Sequence, residues 1–216
     1  LLSIKIDNIR LEGMLVIPKN AKSIVLFAHG SGSSRLSPRN TFVATVLQKA
    51  GIATLLIDLL TEQEDEVYET RFDIDLLTDR LVVIIEWLSK NPDTKNLSLG
   101  LFGASTGAAS ALQVAALLGK KVKAVVSRGG RPDLAMDVLD AVVSPTLLIV
   151  GGNDFGVIHL NESAFAQLQC EKKLEIVESA THLFEEQGAL EKVAELATDW
   201  FTVYLQRAKK GANESL

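Results

Sequence analysis

The segment with the clearest chemical meaning in this 216-residue chain is Gly103-Ala104-Ser105-Thr106-Gly107. It directly follows an apolar run, Leu97–Phe102, and opens an Ala-rich stretch with helical character. A G-x-S-x-G pattern between a strand and a helix reads as a nucleophile elbow, a sharp turn that lifts the serine hydroxyl above a sheet. Gly103, Ala104 and Gly107 keep the crowded strand and helix free of bulk. The helix N-terminus adds partial positive charge, and the Thr106 N–H is placed to stabilise an oxyanion.

A serine hydroxyl is a weak nucleophile at neutral pH and needs a base. The chain has three histidines. His29 ends a strand-like run before a Gly-rich turn, where a structural hydrogen-bonding role is expected. His159 falls near the start of a predicted helix and is expected to be partly exposed without a role. His182 lies after the last strand-like run, in a loop entering the final helix, and is the expected base. A carboxylate must orient its imidazole. Asp154, in Gly151-Gly152-Asn153-Asp154 after the run Thr146–Val150, is the first candidate. Asp133, one strand earlier, is the second, and helix capping is a competing role for both. A second oxyanion donor is expected from His29-Gly30-Ser31-Gly32, with Ser31 N–H the favoured group.

Arg35 and Arg39 follow that glycine-rich turn, and Arg128 and Arg131 follow another strand-like run. Together they form a candidate clamp for a substrate carboxylate or phosphate. Salt bridges to Asp133, Asp137 or the acidic segment 62–69 are the structural alternative. Nucleotide-binding motifs fit poorly. The third glycine of a G-x-G-x-x-G starting at Gly30 would fall on Arg35, and Gly119-Lys120 lacks the P-loop's earlier glycine, since Val114 stands there.

Lys and Arg number 22 against 27 Asp and Glu, a net charge of −5, so no basic excess serves nucleic acid. Apolar residues make up 47 % and charged residues 23 %, the balance of a soluble globular protein. One cysteine, Cys170, excludes an internal disulfide and a cysteine-based structural zinc site. No apolar stretch reaches about 18 residues and no signal-peptide pattern opens the chain, so a cytoplasmic protein without a membrane partner is expected.

These residues need elements to hold them. Ile24–Ala28, Ile52–Ile57, Leu97–Phe102, Val122–Val126, Thr146–Val150 and Leu174–Val177 read as strands, most of them buried on both faces. Helices are expected from Pro38 to the stop at Gly51, over about 73–90, 105–118 and 189–206. Residues 3–16 alternate polar and apolar, as in an antiparallel edge hairpin. Residues 62–69 read as a solvated loop and 207–216 as a polar tail. The sum is one α/β domain over 1–206, a mostly parallel sheet with helices on both faces.

His29-Gly30-Ser31-Gly32, Gly103–Gly107, Gly151–Asp154 and Thr181-His182, in that order, resemble the α/β-hydrolases of the dienelactone hydrolase-like family over nearly the whole chain. The resemblance implies an α/β-hydrolase fold with little or no cap, since the connection from Val126 to Pro145 is short. It implies Ser105, Asp154 and His182 in nucleophile–acid–base order, no metal or other cofactor, and small esters or lactones as substrates. Dienelactone hydrolases proper carry cysteine at the elbow, whereas this chain has Ser105. The chain also resembles the hydrolase module that accompanies phosphoribosyltransferase domains in some bacterial proteins. Thioester or amide hydrolysis on the same triad, or a binding protein on this fold without turnover, are the alternative readings.

Overall fold

The computed structural model describes the backbone of residues 1–207 and side chains through residue 205; most of the expected tail, 208–216, lies outside the described residues. Among the described residues eight strands form one sheet: β1 (Leu2–Ile6), β2 (Ile9–Val16), β3 (Ser23–Ala28), β4 (Ala53–Ile57), β5 (Ser98–Ala104), β6 (Val122–Arg128), β7 (Thr146–Gly151) and β8 (Lys172–Val177), in the order β1-β2-β4-β3-β5-β6-β7-β8. The β1–β2 hairpin is antiparallel and joins β4 antiparallel; every other pairing is parallel. This is the mostly parallel α/β sheet expected from the alternating strand and helix patterns, with the strand arrangement that the α/β-hydrolase resemblance implies.

Among the described residues six α-helices accompany the sheet: α1 (Pro38–Lys49), α2 (Glu62–Asp65), α3 (Ile74–Lys90), α4 (Thr106–Leu118), α5 (Phe155–Gln167) and α6 (Ala189–Arg207). Strand alternation divides the core. In β3, Ile24, Leu26 and Ala28 face one cluster with side chains of α3 and α4, while Val25 and Phe27 face another with α1 and α6. A side chain enters each cluster at every second residue because strand side chains alternate between faces. The α3 stripe Ile74, Leu77, Leu81, Ile84, Ile85 and Leu88 is buried, as its spacing predicts. At Gly100 a Cβ would lie 2.8 Å from the Phe201 ring, so glycine lets α6 approach β5. Among the described residues no helix is long and apolar enough to cross a membrane.

The segment 62–69 differs from the expected loop. Residues Glu62–Asp65 form the short helix α2, and Glu69–Phe72 form a 3₁₀ turn. Thr61 accepts from Glu64 N (3.3 Å), and the Glu64 carboxylate accepts from Thr61 N (2.8 Å), a reciprocal capping box. Arg80 from α3 then binds Glu64 at 2.7 Å. The acidic composition concealed a Thr-x-x-Glu start signal. The β6–β7 connection carries a 3₁₀ segment over Pro132–Ala141, in keeping with a minimal cap.

Candidate active site

The parallel strands bring their carboxyl ends to one side of the sheet. Ala28 pairs in register with Gly103, Ala104 with Arg128, and Gly151 with Val177. Loops leaving these ends carry the serine, histidine and aspartate, as expected for an open α/β sheet.

Ser105 sits between β5 and α4 with φ 51° and ψ −121°. A non-glycine residue there stores on the order of 1–3 kcal/mol of strain, which the surroundings must offset. Ser105 N donates to Arg128 O (3.2 Å), while Ser105 O accepts from Ala108 N and Arg131 N, both at 3.0 Å. Close approach explains the flanking glycines. A Cβ on Gly103 would lie 2.4 Å from Ala108 Cα, and one on Gly107 would lie 2.3 Å from Ala28 O. Backbone atoms cannot yield as side-chain tips do. Gly107→Ala is therefore expected to cost about 3 kcal/mol, the upper range for overpacking; an unchanged denaturant midpoint would refute this.

His182 Nδ1 and Asp154 Oδ2 are 2.6 Å apart. With Nδ1–H donating to the carboxylate, Nε2 is left as the basic nitrogen. Asp154 stands at the N-cap position of α5 yet makes no capping hydrogen bond, so its carboxylate serves the histidine. The two loops are tied together: Asn153 N donates to Ala180 O (2.9 Å) and Asn153 Nδ2 to Ser179 O (3.0 Å). Gly151 permits this, since a Cβ there would lie 2.4 Å from Ala180 O. Gly129, with φ +52°, lies against the imidazole; a Cβ on it would be 3.4 Å from His182 Cε1. Its neighbour Arg128 holds Ser105 N, so the histidine ring and the elbow flank the same strand tip. Gly129, directly after β6, is the sequence signal for this contact.

Thr106 is buried at the first position of α4. Ser31 is exposed in the loop that covers the elbow, where a Cβ on Gly30 would lie 3.0 Å from Ser105 Cβ. Among the described residues, neither the Thr106 nor the Ser31 N–H has a backbone acceptor outside regular elements.

The arginines separate. Arg35 pairs with Asp58 through both backbone and side chain. Arg131 donates to both oxygens of Asp133 (2.8 and 2.7 Å), which occupies the rival aspartate. Arg128 is 5 % exposed, donates to Asn40 Oδ1 (3.1 Å) and lies 5.8 Å from the Phe184 ring centroid. Burial, with Arg39 nearby, lowers its pKa to about 10. Arg39 meets Glu185, an exposed carboxylate, at 3.2 Å.

His29 is buried and uses both ring nitrogens, Nδ1 with Gly30 O (2.9 Å) and Nε2 accepting from Leu59 N (3.0 Å). Burial lowers its pKa, against the opposing pull of the Gly30 carbonyl, Asp58 and Asp65. The unfolded chain then binds more protons just below the ordinary histidine value. Stability should therefore fall as pH drops through about 6.5 and level off below the folded-state pKa. Denaturant midpoints for wild type and His29→Asn across pH 5–8 check this, with a flatter profile expected for the variant. His159 is exposed and faces Glu162 at 3.2 Å. Cys170 contacts Thr146 Oγ1 at 3.8 Å, at the opposite end of β7 from the site.

Comparison with known proteins follows this geometry. The family model described as "Dienelactone hydrolase family" matches residues 11–214. A crystal structure of dienelactone hydrolase from Anabaena variabilis is 58 % identical, covers 94 % of this chain and 96 % of that one, and superposes with a TM-score of 0.92. Est1E from Butyrivibrio proteoclasticus shares the fold at 17 % identity and a TM-score of 0.82, over 95 % of this chain and 98 % of its own. A Mycobacterium tuberculosis (strain H37Rv) protein named as a phosphoribosyl transferase is 56 % identical over 193 residues, which is 89 % of this chain. The match spans 44 % of that relative's length. With strand order, elbow and family match in agreement, this chain belongs to the dienelactone hydrolase family.

Proposed function

We propose that this hydrolase cleaves small carboxylic esters or lactones through a Ser105 acyl-enzyme, with His182 as base and Asp154 as its orienting acid. The observation that carries the reading is the 2.6 Å His182–Asp154 contact, beside a strained serine at the head of α4. His182 Nε2 takes the Ser105 proton as Oγ bonds to the substrate carbonyl carbon. The Thr106 and Ser31 N–H groups stabilise the oxyanion. Collapse breaks the bond to the leaving alkoxide, which receives the proton from His182. A water, deprotonated by the same histidine, then releases the acid and restores Ser105. Labelling by a fluorophosphonate probe tests the reading; it is expected at Ser105, and an unlabelled protein would instead be a binding protein. Rates on matched oxygen esters, thioesters and amides identify the bond cleaved, with oxygen esters expected fastest.

The preferred substrate carries a negative charge. Arg35 and Arg131 are already matched by carboxylates, so the anion would meet Arg128 and Arg39, a pair with one exposed carboxylate between them. A buried cation without a close counter-charge is costly, and a substrate carboxylate would offset that cost. Arg39→Ala and Arg128→Met should lower kcat/KM about 10-fold or more for carboxylate-bearing esters and leave neutral analogues within a few-fold. Equal losses on both substrate types would remove the anionic preference.

A further inference from the structure

We propose that Asn161 is a positioning residue: from α5, the helix capped by Asp154, it braces the backbone of Ser105 and sets where the nucleophile stands relative to the His182–Asp154 pair. This rests on the hydrolase reading above and adds a residue outside the triad.

The brace runs through the turn Arg128–Arg131 at the end of β6. Arg128 O accepts from Ser105 N at 3.2 Å, and Arg131 N donates to Ser105 O at 3.0 Å. The two ends of the turn thus hold the backbone N–H and C=O of the serine. Gly129 N donates to Ile149 O of β7 at 2.8 Å, which fixes the turn to the next strand. Gly130 makes the contact with α5: its carbonyl accepts from Asn161 Nδ2 at 3.1 Å. That carbonyl and the Arg131 N–H belong to one trans peptide group, and each has an observed partner. A continuous line of hydrogen bonds therefore runs from Asn161 Nδ2–H through the Gly130–Arg131 peptide to the Ser105 carbonyl, and bonds in such a line strengthen one another. The turn is also packed tightly, since a Cβ on Gly130 would lie 2.0 Å from Ser127 Oγ and 2.7 Å from Ala108 Cβ.

Packing alone does not call for an amide at this position. Asn161 is 0 % exposed, an uncommon place for a polar side chain. Its Nδ2 also donates to Val157 O, one helical turn back, at 2.8 Å. Both neighbours are carbonyls and can only accept, so the amide nitrogen must face them and uses both of its protons. Asn161 Oδ1, by contrast, is buried without a hydrogen-bond partner among the described residues. An unpaired buried acceptor is destabilising, and a leucine of similar size would avoid it. The contact to Gly130 is thus held against a loss of stability. Asp154 O accepts from Val157 N and Ile158 N, both at 3.0 Å, so Asn161 grips the same first turn that the acid starts. Nucleophile and acid are in this way referenced to one helix. The His182–Asp154 contact has its own supports, the bonds of Asn153 to Ser179 and Ala180. Loss of Asn161 should then displace the serine and leave the imidazole–carboxylate pair intact.

Three variants test this on a neutral short-chain ester. Asn161→Leu keeps the approximate volume and cuts the brace. Asn161→Ser keeps a donor for Val157 O, a bond serine commonly makes to the preceding helical turn, but is too short for Gly130. Each is expected to lower kcat and the rate of fluorophosphonate labelling roughly 10- to 100-fold, the scale on which a misplacement of about 1 Å acts. KM should stay within about twofold, and the downfield NMR signal of the His182 Nδ1 proton should persist. The thermal midpoint of Asn161→Leu should move by less than about 4 °C, because losing the Gly130 bond and losing the unpaired Oδ1 oppose each other. Gln167→Leu is the control. Gln167 also ties α5 to a backbone carbonyl, Met136 O at 2.6 Å, on a path that does not reach the elbow. Its loss should lower the thermal midpoint and leave kcat within about twofold of wild type.

Equal kcat losses for Gln167→Leu and the Asn161 variants, or a loss in KM alone, would reduce Asn161 to general support and overturn the brace. Disappearance of the downfield proton along with kcat would do the same, as would wild-type kcat in Asn161→Ser. If neither Asn161 variant folds, hydrogen exchange of the wild-type Arg131 N–H decides: protection like that of β6 supports the brace, and exchange at surface rates overturns it. Ser105→Ala is assayed alongside. Full activity in that variant would defeat the hydrolase reading and the brace with it, whereas an inactive Ser105→Ala with insensitive Asn161 variants defeats only the brace.

Discussion

Ser105→Ala is expected to reduce turnover of short p-nitrophenyl esters by at least ~10³-fold while the protein stays folded. The loss should fall on kcat, because the residual pocket still binds the ester and supplies oxyanion donors but offers no nucleophile. Removing the hydroxyl leaves the elbow's backbone bonds untouched, since Ser105 N and O, not Oγ, hold the turn to Arg128, Ala108 and Arg131. Stability should therefore hold or rise slightly, because alanine carries the same φ strain without a polar group near the buried turn. Steady-state kinetics with a thermal midpoint on the same sample check both parts. Activity within tenfold of wild type would remove Ser105 from the mechanism.

Asp154→Asn is expected to lower kcat by about 10³- to 10⁴-fold, with Asp133→Asn within a few-fold of wild type. An asparagine at 154 keeps the shape and can still meet Nδ1, but only by offering its amide oxygen without charge, or by donating and turning the proton onto Nε2. Either way the imidazolium formed during attack loses its counter-charge. Asp133 behaves differently because Arg131 already engages both of its oxygens. Its loss should release Arg131 and cost about 1 kcal/mol, since the pair is only half-buried. Kinetics of the two variants side by side test the assignment, and a larger loss for Asp133→Asn would exchange their roles.

The elements around the site were readable to different degrees. The buried strand runs and the α3 stripe follow from periodicities of 2 and 3.6, which local sequence carries directly. The elbow was readable because small residues are demanded within five positions of one another. The helix α2 was not, since a run of carboxylates outweighed the capping pair Thr61 and Glu64, and Arg80, which completes it, stands 16 residues beyond Glu64. The arginines show the same limit. All four follow strand-like runs in sequence; Asp133, two residues from Arg131, was a readable partner, whereas Asp58 for Arg35 and Glu185 for Arg39 are partners that only folding brings.

From the sequence alone come the alternating strands and helices, the small-residue elbow around Ser105, and a short set of candidate bases and acids. Chain order and residue type suffice for those, because each depends on neighbours a few positions away. Tertiary structure decided the pairing of Asp154 with His182, 28 residues apart, and the use of both His29 nitrogens by Gly30 and by Leu59, 30 residues downstream. Hydrogen bonds act over about 3 Å, and the distance between such residues is set only when the strand ends are aligned by the sheet.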